Sequence, residues 1–210
     1  MNILKTFLTI TWKSTSGRIS LLIFSFCFLL AIVGPHIAPY GPNERCYDGA
    51  GKLLRLDPPS WDHWLGTTVL GRDILSQMLF GARTAMLVGL LTALGTVAIG
   101  LNFGLIAGYF GGRIDAILMR ITDILLGLPF LPFIIVLLSL TDRNIWTIIL
   151  AMMFVMWRST ARIVRAEVMS LRQRQFIAAA RTTGASDADI LYREIAPNIM
   201  PLAVTAITFA

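Results

Sequence analysis

The sequence predicts an all-α fold that crosses a membrane several times, with about four full spans and the start of a fifth. Three observations carry that expectation. Apolar residues make up 56% of the 210 and charged residues only 14%, a balance seldom met in a soluble domain of this size. The apolar residues fall in blocks of about 20, the length that crosses a bilayer core. The basic residues, in a chain of net charge +6, collect in particular connecting segments, which is the signature of membrane orientation. They form no soluble basic face, which argues against nucleic acid as a partner.

Residues 1–18 carry Lys5, Lys13 and Arg18 and no acid. Residues 19–37 are the first expected span, broken near its end by Gly34, Pro35 and His36. A basic flank before an apolar core also describes a signal peptide. A retained span is expected here, because Pro35 and Pro39 disrupt a small-residue cleavage site and more spans follow. His36 reads as an interfacial residue at a span end. Cys27 lies inside this apolar run and Cys46 in the loop beyond it, so one faces lipid and the other water. They are not expected to pair, and no CxxC or His/Cys spacing suggests a metal.

Residues 38–83 read as an external loop of balanced charge. Glu44, Asp48, Asp57, Asp62 and Asp73 offset Arg45, Lys52, Arg55, Arg72 and Arg83. Pro39, Pro42, Pro58 and Pro59 argue against long regular elements. Trp61 and Trp64 suit the membrane interface. Ile74, Leu75, Met78 and Leu79 repeat at helical spacing after a possible Asp73 cap. They predict a short amphipathic helix on the membrane surface, or a buried turn against the bundle.

Residues 84–109 are the second expected span. Gly100, Gly104 and Gly108 make one stripe of that helix, where small residues let another helix approach closely. Asn102 is its one strongly polar side chain and suits an interhelical hydrogen bond better than a substrate contact. Residues 111–120 read as a tight polar turn. Residues 121–140 read as the third span, with Asp123 near its start. Pro129 and Pro132 should kink or break it, and the freed carbonyls need cover from neighbours or from a water-lined cavity. A translocation pathway and a simple packing kink are both open readings.

After a short turn at 141–144, residues 145–157 are too short alone to span, but the helix can run on through Val164. Arg158, Arg162 and Arg165 then share one face, free to snorkel to headgroups or to meet a partner. The last apolar run, 202–210, is about half a span. The chain is therefore expected to be a fragment, or to need neighbours to complete its bundle.

Between these apolar runs lies the one long polar interval of the second half. Phe176, Ile177 and Ala180 can share a helix face, and Gly184 can take the left-handed conformation that ends a helix. Ser186 or Asp187 can cap a second short helix whose apolar face would hold Ile190, Leu191 and Ile195. Pro197 and Pro201 limit its continuation. The expectation is a helix–Gly–helix knuckle standing off the membrane. The positive-inside rule places it in the cytoplasm, with the N-terminus and the Arg113–Arg120 segment.

The residues go further than this pattern. FIAAARTTGASDADILYREIAPNIMP resembles the EAA loop of ABC-transporter permeases: Ala179 and Ala180, then Gly184 four residues on, then the hydrophobic-Pro ending at 195–197. WRSTARIVRAEVMSLRQRQF is similar to the lead-in of the peptide/nickel importer permeases. LGTTVLGRDILSQMLFGARTAMLVG, residues 65–89, is similar to the C-type subunit of dipeptide and oligopeptide importers.

The resemblance implies a type I importer fold, with 84–210 as a partial transmembrane core and 172–197 as its coupling loop. It implies that Phe176, Ile177, Ala178, Ala179, Ala180, Arg181, Gly184, Ala185 and Asp187 dock on a separate ATP-hydrolysing subunit. It also implies a sister permease subunit, an extracytoplasmic solute-binding protein, and a bacterial or archaeal cytoplasmic membrane around them. The cargo would be short peptides or a related solute, nickel included. Two positions depart from the pattern. Ala178 stands where the usual Glu would be, removing a charge that could fix the loop or meet the ATPase, and Glu194 stands where His is common. Family members also continue through two further membrane segments.

Energy must come from a partner in any case. No G-x-x-x-x-G-K-[ST] occurs in the chain, so ATP and magnesium are expected on the partner ATPase and no cofactor in this chain. Two other classes compete. A passive channel or ion-coupled carrier would need ionisable groups near the midplane, and the apolar runs hold almost none beyond Asp123. A membrane-embedded enzyme would need a catalytic cluster, and His36 and His63 stand far apart with no Ser/His/Asp set or carboxylate pair. A permease rather than an enzyme is expected.

Overall fold

A computed structural model describes residues 15–141 and 144–201. The expectations for the N-terminal flank up to residue 14, for Asp142–Arg143 and for the run 202–210 lie outside the described residues. The described residues form helices and only two isolated β-bridges, Tyr47–Leu53 and Thr67–Asp73. Among the described residues, three helices are long and apolar enough to cross a membrane, or four if one bent pair counts as a span. The fold is all-α, as expected. It divides into two compact units, residues 1–87 and 88–210.

In the first unit, helix α1 (Thr15–Ile37) starts before residue 19 and carries Pro35 in its last turn. Ile19, Leu22, Phe26 and Leu29 are exposed, as a lipid-facing helix requires. Gly34 approaches the next helix so closely that a Cβ there would sit 3.2 Å from the Leu79 carbonyl oxygen. Cys27 is exposed, Cys46 is buried, and both are free. Trp61 and Trp64 are exposed.

The loop after α1 is pinned by a buried polar knot. The His63 ring Nδ1 lies 3.1 Å from Asp73 Oδ1, and Asp73 Oδ2 accepts the Ser76 amide at 2.8 Å. Asp73 thereby caps helix α2 (Ile74–Phe110). The segment Ile74–Leu79 is thus neither a separate surface helix nor a buried turn. It is the start of the second span, which begins at Ile74 and not at residue 84. No proline occurs between Pro59 and Pro129, so nothing stops the helix. Its 37 residues extend about 55 Å.

In the second unit, α2 ends on Gly111 and Gly112, which have φ of 65° and 53°. The chain turns there and enters α3 (Gly112–Gly127) at once. The expected polar turn over 111–120 is therefore helix, apart from Gly111. Then α4 (Phe130–Leu140) follows at 85° to α3. The break lies at Leu128–Pro129, where Leu128 takes the extended conformation that a following proline favours. Pro132 does not contribute to it. It sits in the first turn of α4, where a helix has no use for its missing N–H.

Helix α5 (Ile145–Leu171) packs against α2 in parallel register. Gly100 meets Thr160, Gly104 meets Val164, and Gly108 meets Val168. Two touching parallel helices need the chain to return between them. The bent pair α3–α4 supplies that return.

Candidate functional site

The polar interval after α5 folds as α6 (Gln175–Thr182), α7 (Asp187–Asp189), a π-helical stretch Ile190–Ile195 and a helical end at 196–201. Gly184 has φ +82°. Its amide donates to the Arg181 carbonyl at 3.1 Å, and the Ala185 amide donates to the Ala180 carbonyl at 3.1 Å. This 5→2 and 6→1 pair is the Schellman ending of a helix, and Ala180 and Ala185 both pack on the core, as that motif favours. Ser186 then caps the next helix, its Oγ accepting the Asp189 amide at 3.2 Å. The helix–Gly–helix form is thus dictated by local sequence.

The loop does not stand off the bundle. Ile177, Ile190, Leu191, Ile195 and Ile199 are buried with Leu105 and Tyr109 of α2 and Val164 and Val168 of α5. The π turn brings Ile190 and Ile195, five residues apart, to one side. Of the three residues expected on one face, Ile177 is 1% exposed and Ala180 packs on the core, but Phe176 is 38% exposed. Ala178, Ala179, Thr182, Thr183 and Glu194 are exposed with it. The loop therefore turns a surface of small and aromatic residues outward while its isoleucines anchor it.

Two tyrosine hydroxyls help fasten it to α2. The Tyr192 hydroxyl donates to Asn102 Oδ1 at 2.9 Å, the interhelical bond expected for Asn102. The Tyr109 hydroxyl donates to Asp187 Oδ1 at 2.5 Å, and the Arg181 guanidinium lies over the Tyr109 ring, 5.4 Å from its centroid. Arg172 Nη1 donates to the Gly108 and Tyr109 carbonyls at 3.2 Å each, covering the orphan end of α2. Sequence reasoning missed Tyr109, Arg172 and Tyr192. The signal was there in part: Asn102, Leu105 and Tyr109 fall at i, i+3 and i+7, a single helix face.

The three arginines of α5 each bond to α3. Arg165 holds Asp115 through two bonds of 2.5 Å, Arg162 pairs with Asp123, and Arg158 Nη1 donates to the Leu125 carbonyl at 3.0 Å. All three targets are on α3. The last contact covers a carbonyl beside the Pro129 break, so at this kink a neighbouring side chain supplies the cover. Among the described residues, no group of His, Cys, Asp or Glu is placed to hold a metal.

Residues 100–210 match the family described as binding-protein-dependent transport system inner membrane component. The chain is 36% identical to the dipeptide transport system permease protein DppC of Bacillus subtilis over 196 residues, which are 93% of this chain and 60% of that protein. It is 38% identical to the oligopeptide transport system permease protein OppC of the same organism, over 88% of this chain and 59% of that protein. The oligopeptide permease OppC of Mycobacterium bovis is 36% identical over 91% of this chain and 65% of its own length. The chain spans about 60% of the length of the first of these relatives.

Proposed function

This chain belongs to the family of binding-protein-dependent transport system inner membrane components, and we propose that it is a permease subunit of an ATP-driven importer of short peptides. Its spans pair with a sister permease subunit in the cytoplasmic membrane, with the N-terminus and the loop 172–197 in the cytoplasm. A solute-binding protein delivers cargo from the other side, to the 38–73 loop. ATP and magnesium act on a separate ATPase that docks on 172–197. Its closure pushes the loop, and the spans rock between two access states. Nickel or another small solute is the nearest alternative cargo.

The observation that carries this reading is the build of the loop. A surface meant for a partner needs exposed groups on a rigid base. Here Phe176, Ala178 and Ala179 face outward on a two-helix element whose isoleucines are buried against two spans. The carrier alternative gains no support, because Asp123, its candidate carboxylate, is paired with Arg162.

The experiment is co-purification of the membrane complex with its ATPase. Ala179→Glu places a charge on the exposed face without touching the core, and Gly184→Pro breaks the left-handed turn. Both are expected to release the ATPase. Undiminished association of both variants contradicts the docking role.

A further inference from the structure

Resting on that docking reading, we propose that Tyr109 is the positioning residue that passes movement of the loop to helix α2. Tyr109 is held by three segments at once, each through a different part of the residue. Its hydroxyl binds Asp187, the first residue of α7, at 2.5 Å. Its ring lies under Arg181 in the last turn of α6, at 5.4 Å. Its carbonyl accepts from Arg172, which closes α5, at 3.2 Å.

The two side-chain contacts lie on either side of Gly184. Both arms of the knuckle are therefore tied to one side chain, and neither arm can tilt about the glycine without pulling on it. Tyr109 is 5% exposed, so water does not readily replace these partners once they part. Seven residues earlier on the same face, Asn102 receives the Tyr192 hydroxyl. Between the two polar contacts, Leu105 is fully buried in the loop's apolar core. The loop thus grips nearly two turns of α2. The glycine face of α2 is packed on α5 meanwhile, so a push on Tyr109 moves the two helices together.

A merely structural tyrosine would be served by its ring alone. The hydroxyl is what distinguishes the roles, and Tyr109→Phe removes it while keeping the ring under Arg181. Two measurements separate this inference from the docking reading. The first is hydrogen exchange of the purified full chain in nanodiscs, with no partner present. Tyr109→Phe and Asp187→Ala are expected to speed amide exchange across 177–195 by about tenfold, as loss of a charge-assisted hydrogen bond implies. Asp187→Asn, whose side-chain oxygen still accepts from the hydroxyl, is expected to retain protection.

The second measurement uses the transporter assembled with its ATPases and sister subunit, with labelled dialanine and trialanine as probes. Tyr109→Phe should leave the ATPase bound while uptake per ATP hydrolysed falls about tenfold. Unchanged uptake per ATP in Tyr109→Phe overturns the proposal, as does unchanged exchange. If the wild type retains no ATPase, the docking reading falls, and with it the transmission. The exchange measurement then still judges the clasp alone.

Discussion

A Cβ on Gly104 would stand 2.6 Å from the Cβ of Val164 and 2.7 Å from the Ala161 carbonyl oxygen. Gly100 and Gly108 meet Thr160 and Val168 at the same 2.6 Å, and the backbone of α5 at 2.7 and 2.8 Å. Backbone cannot step aside as a flexible side chain can, so any side chain along this stripe forces α2 and α5 apart.

Gly104→Ala is therefore expected to destabilise the helix pair by about 1–3 kcal/mol, the usual cost of overpacking. Gly89→Ala, on the same helix with nothing within 4 Å of the added methyl, should be neutral or better by up to about 1 kcal/mol. Denaturant unfolding of the two variants in detergent distinguishes them.

The Asp115–Arg165 pair should hold α3 to α5 more firmly than the Asp123–Arg162 pair. Side-chain exposure is 15% and 31% in the first pair against 50% and 46% in the second, so the protein encloses the second pair less. Asp115→Asn is expected to cost about 1–3 kcal/mol, and Asp123→Asn less than about 1 kcal/mol. A double-mutant cycle on each pair measures the two coupling energies.

Gly184→Ala meets no atom within 4 Å, so its cost is conformational only. The left-handed backbone should make it roughly 1–2 kcal/mol, and Gly184→Asn should cost less because Asn tolerates that region. Unfolding of the loop followed by hydrogen exchange of residues 175–199 gives the comparison.

Much of this was legible in the sequence for a local reason. Apolar block length gave α1, glycine spacing gave the face of α2 that another helix packs on, and the Ala180–Gly184–Ser186 pattern gave the knuckle, since caps and left-handed turns are set by neighbours in sequence. What was not legible depends on distant partners. Asp115 and Asp123 looked like the charges of a turn or a span edge because Arg165 and Arg162, which neutralise them, are 50 and 39 residues away. The start of α2 was hidden because Ile74–Leu79 has the same periodicity whether it ends at a surface or runs on. Tyr109 looked like the end of an apolar run until Asp187 and Arg181 folded over it.

Burial pushes the Cys46 thiol up from its ordinary pKa, and the Asp73 charge adds to that shift. A raised pKa keeps the group as thiol, and the thiolate is the reactive form. Cys46 should therefore resist alkylation at neutral and mildly alkaline pH in the folded chain. It should react as pH rises past the usual thiol range, later than after unfolding in SDS. Mass-spectrometric alkylation profiles against pH, native and unfolded, test the direction.

Docking of the loop on the ATPase is tested by a single cysteine at Ala179, in an otherwise cysteine-free chain, within the assembled transporter. This cysteine is expected to form a cross-link to the ATPase subunit, Gly184→Pro to abolish the cross-link, and membrane-impermeant maleimide added outside intact cells to leave it unlabelled. Labelling from outside, or no cross-link to an ATPase that remains bound, contradicts a cytoplasmic docking loop.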